Sequence, residues 1–189
     1  MNIKYKNCIV ELIDETSYTL NSSDNIHNYD IIISDDGISD NPTRYGINIR
    51  DSSGIVIKSC LLIGGSGAGT SVGRESCVIE EDTLFVCISN EIFSLSLINL
   101  ELNWYKEVDF ATAFGIYKMN EDFIIHGEMY ITRINRKGEI VWQQSGSDIF
   151  VLPISNNSTN EIFEIKDNMI FAQSWDERKY CISYDGEIL

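Results

Sequence analysis

The sequence has few positive charges, two prolines and two histidines. Its 189 residues include 14 lysines and arginines against 29 aspartates and glutamates, a formal net charge of −15. This charge repels the phosphates of nucleic acids and anionic lipids, so we expect neither a nucleic acid nor a membrane as partner. It favours association with a protein that has a basic surface. Because acidity also keeps proteins soluble, the charge alone does not identify a partner.

The sequence also has no long apolar run. No stretch approaches the ~20 apolar residues that a membrane-spanning helix needs. The first twenty residues carry Glu11, Asp14 and Glu15, and no apolar run among them has the length of a signal peptide. We therefore expect a cytoplasmic protein.

Cysteine pairing is not indicated either. The five cysteines are Cys8, Cys60, Cys77, Cys87 and Cys181. Their number is odd and no two form a C-x-x-C, which is typical of small buried side chains in a reducing compartment. A zinc site needs clustered cysteine or histidine, and the two histidines, His27 and His126, are far apart in the sequence. We expect no metal and no cofactor.

Short apolar runs dominate the chain and predict β-strands. They are rich in Ile, Val, Phe, Tyr and Leu and are separated by Asp, Asn, Gly and Ser. The apolar spacing of an amphipathic helix is not sustained in any window. The predicted strands are 8–13, 29–34, 46–50, 55–63, 83–89, 91–98, 122–126, 129–135, 139–144, 161–165, 169–173 and 179–184. The fold class is therefore predicted to be all-β.

The strands recur in units. Three units, 83–104, 122–142 and 168–189, each contain a strand, a tight turn, a strand, a turn and a strand, and a fainter copy lies at 47–56. A period near forty residues with short strands is typical of propeller blades. We predict one domain over 1–189, with irregular N-terminal strands in 1–74 and blade-like repeats in 75–189. The predicted architecture is a propeller-like stack of about three to four antiparallel blades, and a twisted β-sandwich is the alternative.

The segments 135–142 and 184–189 carry a recognisable blade motif. Over 75–189 the units resemble the blade repeat of quinoprotein-type (PQQ-like) β-propellers, of the kind seen in uncharacterised bacterial proteins. The two segments are the clearest matches to that family's Asp-x-x-Gly-x-x-x-Trp pattern, although Asn135 replaces the aspartate in the first and the second has no tryptophan. Full quinoprotein propellers have several more blades. No residue here matches that family's cofactor or calcium ligands, so the resemblance implies the fold and not the enzymology. Trp104 and Trp142 end their units, and we expect them to pack between neighbouring sheets.

Two segments superficially suggest catalysis or phosphate binding. The glycine-rich segment 64–73 lacks the lysine and the helix of a P-loop, so we expect a packed connection between strands. His126 and Glu128 could act as a general acid and base only if both faced a cleft. We expect His126 to be a turn residue and the protein not to be an enzyme.

The candidate contact residues fall in two polar segments. Asp30, Asp35, Asp36 and Asp40 lack the alternating spacing and final glutamate of a calcium loop, so we expect a solvated turn or an interaction loop. Trp175 lies beside Asp176 and Glu177 in a predicted hairpin turn, where the tryptophan either packs inward or contacts a partner. The predicted binding residues are Asp35, Asp36, Asp40, Trp175, Asp176 and Glu177.

These features favour a non-catalytic protein-binding module. One specific form is a toxin-neutralising immunity-type protein, whose acidic surface would block a cationic active site. The alternative is a small-molecule or carbohydrate-binding propeller that uses Trp104, Trp142, Trp175 or Tyr130. A third hypothesis is a hydrolase that uses His126 and Glu128. Exposed strand edges would also favour a homodimer.

Overall fold

The fold consists of β-strands in four small sheets, which confirms the predicted all-β, propeller-like architecture. A computed structural model describes residues 1–34, 42–65, 67–150 and 162–189. In this part of the chain the only helical element is a short 3₁₀ turn, Arg74–Ser76. No helix in the described residues is long and apolar enough to cross a membrane.

Blade 1 is a five-stranded sheet in the region predicted to hold irregular N-terminal strands and a faint copy of the repeat at 47–56. Its strands are β1 (Asn2–Tyr5), β2 (Cys8–Asp14), β3 (Ile31–Ser34), β4 (Arg44–Arg50) and β5 (Val56–Ile63). The order is β1-β2-β4-β5-β3, with β3 parallel to β5 and every other pair antiparallel. Four strands thus form a regular blade. Residues 15–43 interrupt it between β2 and β4, which hides the repeat in the sequence.

Blades 2, 3 and 4 are simple antiparallel meanders. Blade 2 contains β6 (Cys77–Glu80), β7 (Thr83–Ile88), β8 (Glu91–Ser96) and β9 (Leu102–Glu107). Blade 3 contains β10 (Ala113–Met119), β11 (Asp122–Gly127), β12 (Tyr130–Ile134) and β13 (Ile140–Ser145). Blade 4 contains β14 (Phe163–Lys166), β15 (Met169–Gln173) and β16 (Lys179–Ser183).

Apolar side chains from alternate positions of each central strand fill the spaces between blades. Leu84 and Val86 of β7 pack towards blade 1, whereas Phe85 and Cys87 pack towards blade 3. Both faces of β7 are therefore buried, which explains its unbroken apolar sequence. A third cluster, which includes Ile124 and Ile170, joins blades 3 and 4. Among the described residues no apolar cluster joins blade 4 to blade 1, and we call the series of four blades the arc.

Trp104 and Trp142 join neighbouring blades, as the sequence predicted. The indole N–H of Trp104 donates to the carbonyl of Arg136 at 3.0 Å, and that of Trp142 donates to the carbonyl of Tyr184 at 2.9 Å. Each ring lies on a glycine, Gly138 or Gly186, at a turn with positive φ of 83° or 88°. A Cβ at either glycine would lie 2.8 Å from the ring, so no larger residue fits there without a shift.

The junction between blades 1 and 2 uses the same arrangement with different residues. Lys58 of β5 takes the place of the tryptophan, and its ammonium group donates a hydrogen bond to the carbonyl of Ile98. Leu100, with φ of 59°, takes the place of the glycine and is fully buried. In all three junctions, therefore, a side chain on the fourth strand of one blade donates a hydrogen bond to a backbone carbonyl of the next blade. That carbonyl lies two residues before the turn residue with positive φ.

Residues 15–30 fold back over one half of blade 1. Tyr18 and Tyr29 pack on Leu61 and Ile63. The buried carboxylate of Glu15 accepts a hydrogen bond from the Tyr29 hydroxyl, and it lies 2.6 Å from Nδ1 of His27. We call residues 15–30 the cap.

The two ends of the arc differ in what they carry. The connection end carries the turns between second and third strands, at Asn90, Glu128 and Trp175, and the chain segments that lead from one blade to the next. The hairpin end carries the turns before the fourth strands of blades 1, 2 and 3, at Gly54, Leu100 and Gly138, and the matching turn of blade 4 at Gly186.

Candidate functional site

The most exposed aromatic side chains both lie at the connection end. Phe110, between β9 and β10, is 80% exposed, and Trp175, between β15 and β16, is 69% exposed. Trp104 and Trp142 are instead partly buried at the blade junctions. The sequence left open whether Trp175 packs inward or is exposed for contact, and the structure shows that it is exposed.

Successive loops at this end are joined by backbone hydrogen bonds. The amide of Trp175 donates to the carbonyl of Ile149 at 2.8 Å, and that of Phe150 donates to Glu128 at 2.7 Å. The amide of Glu128 in turn donates to the carbonyl of Thr112, also at 2.7 Å. The loops that carry Phe110 and Trp175 thus belong to one hydrogen-bonded surface across blades 3 and 4.

Asp109 fixes the loop that presents Phe110. Its carboxylate is buried and accepts four backbone hydrogen bonds, from Ala111, Thr112, Met129 and Tyr130. Burial raises the pKa of this carboxyl, and the four hydrogen bonds oppose that shift because they stabilise the charged form. The neighbouring loops are therefore held together by a side chain that faces inward, while Phe110 faces solvent.

Asp176 has the same positioning role beneath Trp175. The hydroxyls of Ser174 and Ser147 donate to its two carboxylate oxygens, and they lower the pKa of Asp176. The hydroxyl of Tyr180 also lies 2.8 Å from Oγ of Ser147. Asp176 therefore shapes the hairpin, and all three predicted contact residues of this segment, Trp175, Asp176 and Glu177, are exposed.

The surroundings of the two aromatics are mainly acidic. Glu107, Glu128, Asp148 and Glu177 lie in or next to the same loops, and the nearby cations are Lys106, Arg178 and Lys179. We call Phe110, Trp175 and these four carboxylates the aromatic–acidic surface. A partner that matches it would present apolar sockets surrounded by positive charge.

The remaining predicted contact residues, Asp35, Asp36 and Asp40, lie outside the described residues. Asp30, grouped with them in the sequence, lies just before β3. Its carboxylate accepts a hydrogen bond from the Ser59 hydroxyl at 2.8 Å. Among the described residues no cluster of three or more His, Cys, Asp or Glu is placed to hold a metal ion.

The glycine-rich segment is a packed connection. The amide of Gly65 donates to the carboxylate of Glu91 at 2.7 Å, and that of Gly67 donates to the side chain of Asn90 at 3.1 Å. A Cβ on Gly67 would lie 2.4 Å from the carbonyl of Ala111. These amides bond to the protein itself, so the segment does not present them to a phosphate.

His126 is not a turn residue, contrary to the prediction. It lies inside β11, is 1% exposed and stacks on Phe163 with ring centroids 4.2 Å apart. Burial lowers the pKa of His126 to about 3, so its ring is neutral at pH 7. The turn begins only at Glu128, because β11 continues through Gly127. His126 therefore does not face a cleft with Glu128.

A cavity of about 350 Å³ lies between blades 2 and 3 at the hairpin end, beside Trp104 and Arg136. Its volume is at the lower limit for ligand sites. The Trp104 ring contacts Phe85 and Gly138, so the ring serves the blade junction.

Phe110 was missed by sequence reasoning, although a signal exists. It is an aromatic residue outside every predicted strand, directly after an aspartate in an inter-blade connection. Such a position favours exposure because a connection has only one packed side. The sequence does not show that this connection, between β9 and β10, lies next to the turn at Glu128 in blade 3.

Comparisons with solved structures support the fold. The chain resembles the computationally designed Ika4 protein with a TM-score of 0.51 and 9% identity, over 80% of this chain and 89% of that chain. It resembles the computationally designed Ika8 protein with a TM-score of 0.53 and 9% identity, over 100% of this chain and 59% of that chain. For BamB from Moraxella catarrhalis the TM-score is 0.48 at 12% identity, over 83% and 50% of the two chains.

The chain thus spans little more than half the length of Ika8 and half that of BamB. No protein-family model and no curated protein sequence matches it. At these identities the likeness concerns the fold alone, which is that of propeller blades.

Proposed function

We propose that this protein is a non-catalytic protein-binding module that contacts its partner through the aromatic–acidic surface. The observation that supports this most directly is that Phe110 and Trp175 are both largely exposed and lie on hydrogen-bonded loops at the same end of the blades. Exposed aromatics on rigid supports are favoured as energetic centres of interfaces, because they bury much area at little entropic cost.

The partner is a protein with a basic surface. The net charge of −15 and the carboxylates around the two aromatics support this choice, because complementary charge accelerates association and selects the partner. Neutralisation of a bacterial toxin with a cationic active site is a specific form of the proposal, and it rests on the acidic charge alone. A cytoplasmic location remains an expectation that fits the five free thiols.

Affinity capture followed by measured binding tests the proposal. The tagged protein is used to capture partners at low and moderate salt, and the affinity of each purified candidate is then measured by calorimetry. We expect one basic partner whose dissociation constant rises with salt and rises roughly thirtyfold, about 2 kcal/mol, in Trp175→Ala or Phe110→Ala.

Ile98→Ala is the matched control, because Ile98 is also exposed but lies at the hairpin end. A partner bound equally well by all three variants would show that the contact surface lies elsewhere. If the partner is a toxin, co-expression of the wild-type chain protects cells, whereas co-expression of Trp175→Ala protects them less.

A further inference from the structure

The two end blades expose residues whose counterparts in the inner interfaces are buried. In every blade, the residue before the hairpin-end turn pairs with a second-strand residue, and in blades 2, 3 and 4 this second-strand residue faces the preceding blade. These second-strand residues are Ile9, Leu84, Phe123 and Ile170. The last three are 0% exposed, whereas Ile9 of blade 1 is 40% exposed.

The opposite face shows the same pattern at the other end of the arc. The next residue along each second strand faces the following blade, and these residues are Val10, Phe85, Ile124 and Phe171. The first three are at most 3% exposed, whereas Phe171 of blade 4 is 38% exposed. Within the described residues, no blade fully covers the Ile9 face of blade 1 or the Phe171 face of blade 4.

The turn at Gly54 is a second sign of a missing neighbour. Its amide donates to Asp51 at 3.0 Å, as Gly138 donates to Asn135 at 3.0 Å and Gly186 to Ser183 at 2.9 Å. The φ of Gly54 is 86°, close to those of the other two glycines. Gly138 and Gly186 are each covered by a tryptophan, but nothing lies within 4 Å of a Cβ built on Gly54.

The acceptor of this turn is also unused. In the two tryptophan junctions, the carbonyl two residues before the glycine accepts the indole N–H. Its counterpart in blade 1 is the carbonyl of Ser52, which accepts no hydrogen bond from the described residues. An open cavity of about 490 Å³ lies beside it, lined by Ser52, Ile9 and residues of β1.

We propose that two copies of this chain associate head to tail, with the Phe171 face of blade 4 packed on the Ile9 face of blade 1 in the second copy. The Phe171 face of blade 4 corresponds to the faces that cover a following blade, and the Ile9 face of blade 1 corresponds to the faces that such blades cover. A contact between these two faces would therefore repeat the interfaces already present between neighbouring blades. The cap covers Leu61 and Ile63, so the contact uses the half of blade 1 near Gly54. There Arg50 is paired with Glu11 at 2.7 Å, and Lys4, the cross-strand neighbour of Ile9, is a second cation on the same face.

A second copy is the occupant that the arc itself favours. The full chain matches 59% of the Ika8 chain, whereas 80% of it matches 89% of the Ika4 chain. The exposed Ile9 and Phe171 faces, and not these likenesses, therefore indicate that the arc has room for a neighbour at each end. Two arcs joined at both ends would form a closed ring with two equal contacts, since head-to-tail contacts close when the rotation allows it. These end faces are separate from the aromatic–acidic surface, so the two proposals are independent.

Sedimentation of the full chain tests the association. We expect the wild-type mass to approach twice 21.5 kDa as concentration rises, and to stay at 21.5 kDa in Ile9→Asp and in Phe171→Asp. Phe110→Asp, an equally drastic change at the connection end, should leave the dimer intact. Circular dichroism and thermal unfolding establish whether each variant is folded. If Phe171→Asp does not fold, Phe171→Ser is a milder replacement.

Mixing the two interface variants distinguishes head-to-tail contact from blade 4 pairing with itself. A mixture of Ile9→Asp and Phe171→Asp contains one undamaged contact between unlike copies, so we expect dimer to reappear. A wild-type chain that is monomeric at every concentration would overturn the proposal. A dimer lost in Phe171→Asp but kept in Ile9→Asp would also overturn it, because it would indicate like faces in contact.

Discussion

His126 is a buried polar group whose Nε2 atom has no hydrogen-bond partner among the described residues. Burial lowers its pKa to about 3 from an ordinary value of 6.5. The unfolded chain therefore binds the proton more tightly than the folded protein. Stability falls as the pH decreases below about 6.5, by up to about 1.4 kcal/mol per pH unit for this one group.

We accordingly expect His126→Phe to weaken the acid sensitivity of the fold. The phenyl ring keeps the stacking on Phe163 but binds no proton. The free energy of unfolding, measured with urea from pH 7 to pH 4, should decline less steeply in the variant than in the wild type. His27→Gln is the control, because it removes the other histidine and leaves His126 in place. Parallel curves for wild type and His126→Phe would contradict the assigned burial.

The two kinds of tryptophan show what residue patterns alone can predict. Trp104 and Trp142 were predicted to join blades because each ends a repeat unit. Trp175 lies outside that register, so the sequence left its burial open. Its exposure follows from Asp176, whose hydrogen bonds with Ser147 and Ser174 fix a hairpin that carries the indole outward. Such contacts between distant residues are not visible in a single sequence.

Among the structural elements, the turns at Gly54, Gly138 and Gly186 allow a controlled comparison. All three have a positive φ that disfavours any residue with a Cβ, a cost of about 1–2 kcal/mol. At Gly138 and Gly186 the added methyl also meets a tryptophan ring at 2.8 Å. Overpacking of this kind costs a further ~1–3 kcal/mol.

Gly138→Ala and Gly186→Ala should therefore lower the free energy of unfolding more than Gly54→Ala does. Denaturant unfolding at concentrations where the chain is monomeric measures the difference, with Gly54→Ala as the matched control. Equal losses at all three glycines would show that the tryptophan rings do not depend on close contact with the turns.

Blades 3 and 4 could be predicted from the sequence because their strands are local and their turns match a regular pattern. Blade 1 could not, for two physical reasons. Residues 15–43 separate strands that pair directly, and Lys58 donates the junction hydrogen bond that tryptophan donates elsewhere. The segment 47–56 was nevertheless found as a faint repeat, because its turn keeps the glycine that the geometry requires.

On the scale of the whole molecule, composition predicted the fold class and the acidic charge, but not where surfaces are open. The exposure of Ile9 and Phe171 depends on their being in the first and last blades, since their counterparts have the same apolar character and are buried. The location of the aromatic–acidic surface depends likewise on loops from different blades meeting at one end.

The insertion of residues 15–43 between β2 and β4 also has a kinetic consequence. Blades 2, 3 and 4 pair strands that are adjacent in the sequence, so each closes only short loops during folding. Blade 1 closes a long loop before Ile9 pairs with Arg50, and such closure is entropically costly and slow. In pulsed hydrogen exchange, amides of β7 and β11 should be protected before the amides that bond β4 to β2, with the local β1–β2 and β4–β5 hairpins as internal comparisons. Simultaneous protection would contradict this order. The N-terminal blade, although synthesised first, would then be completed on a surface that the later blades provide.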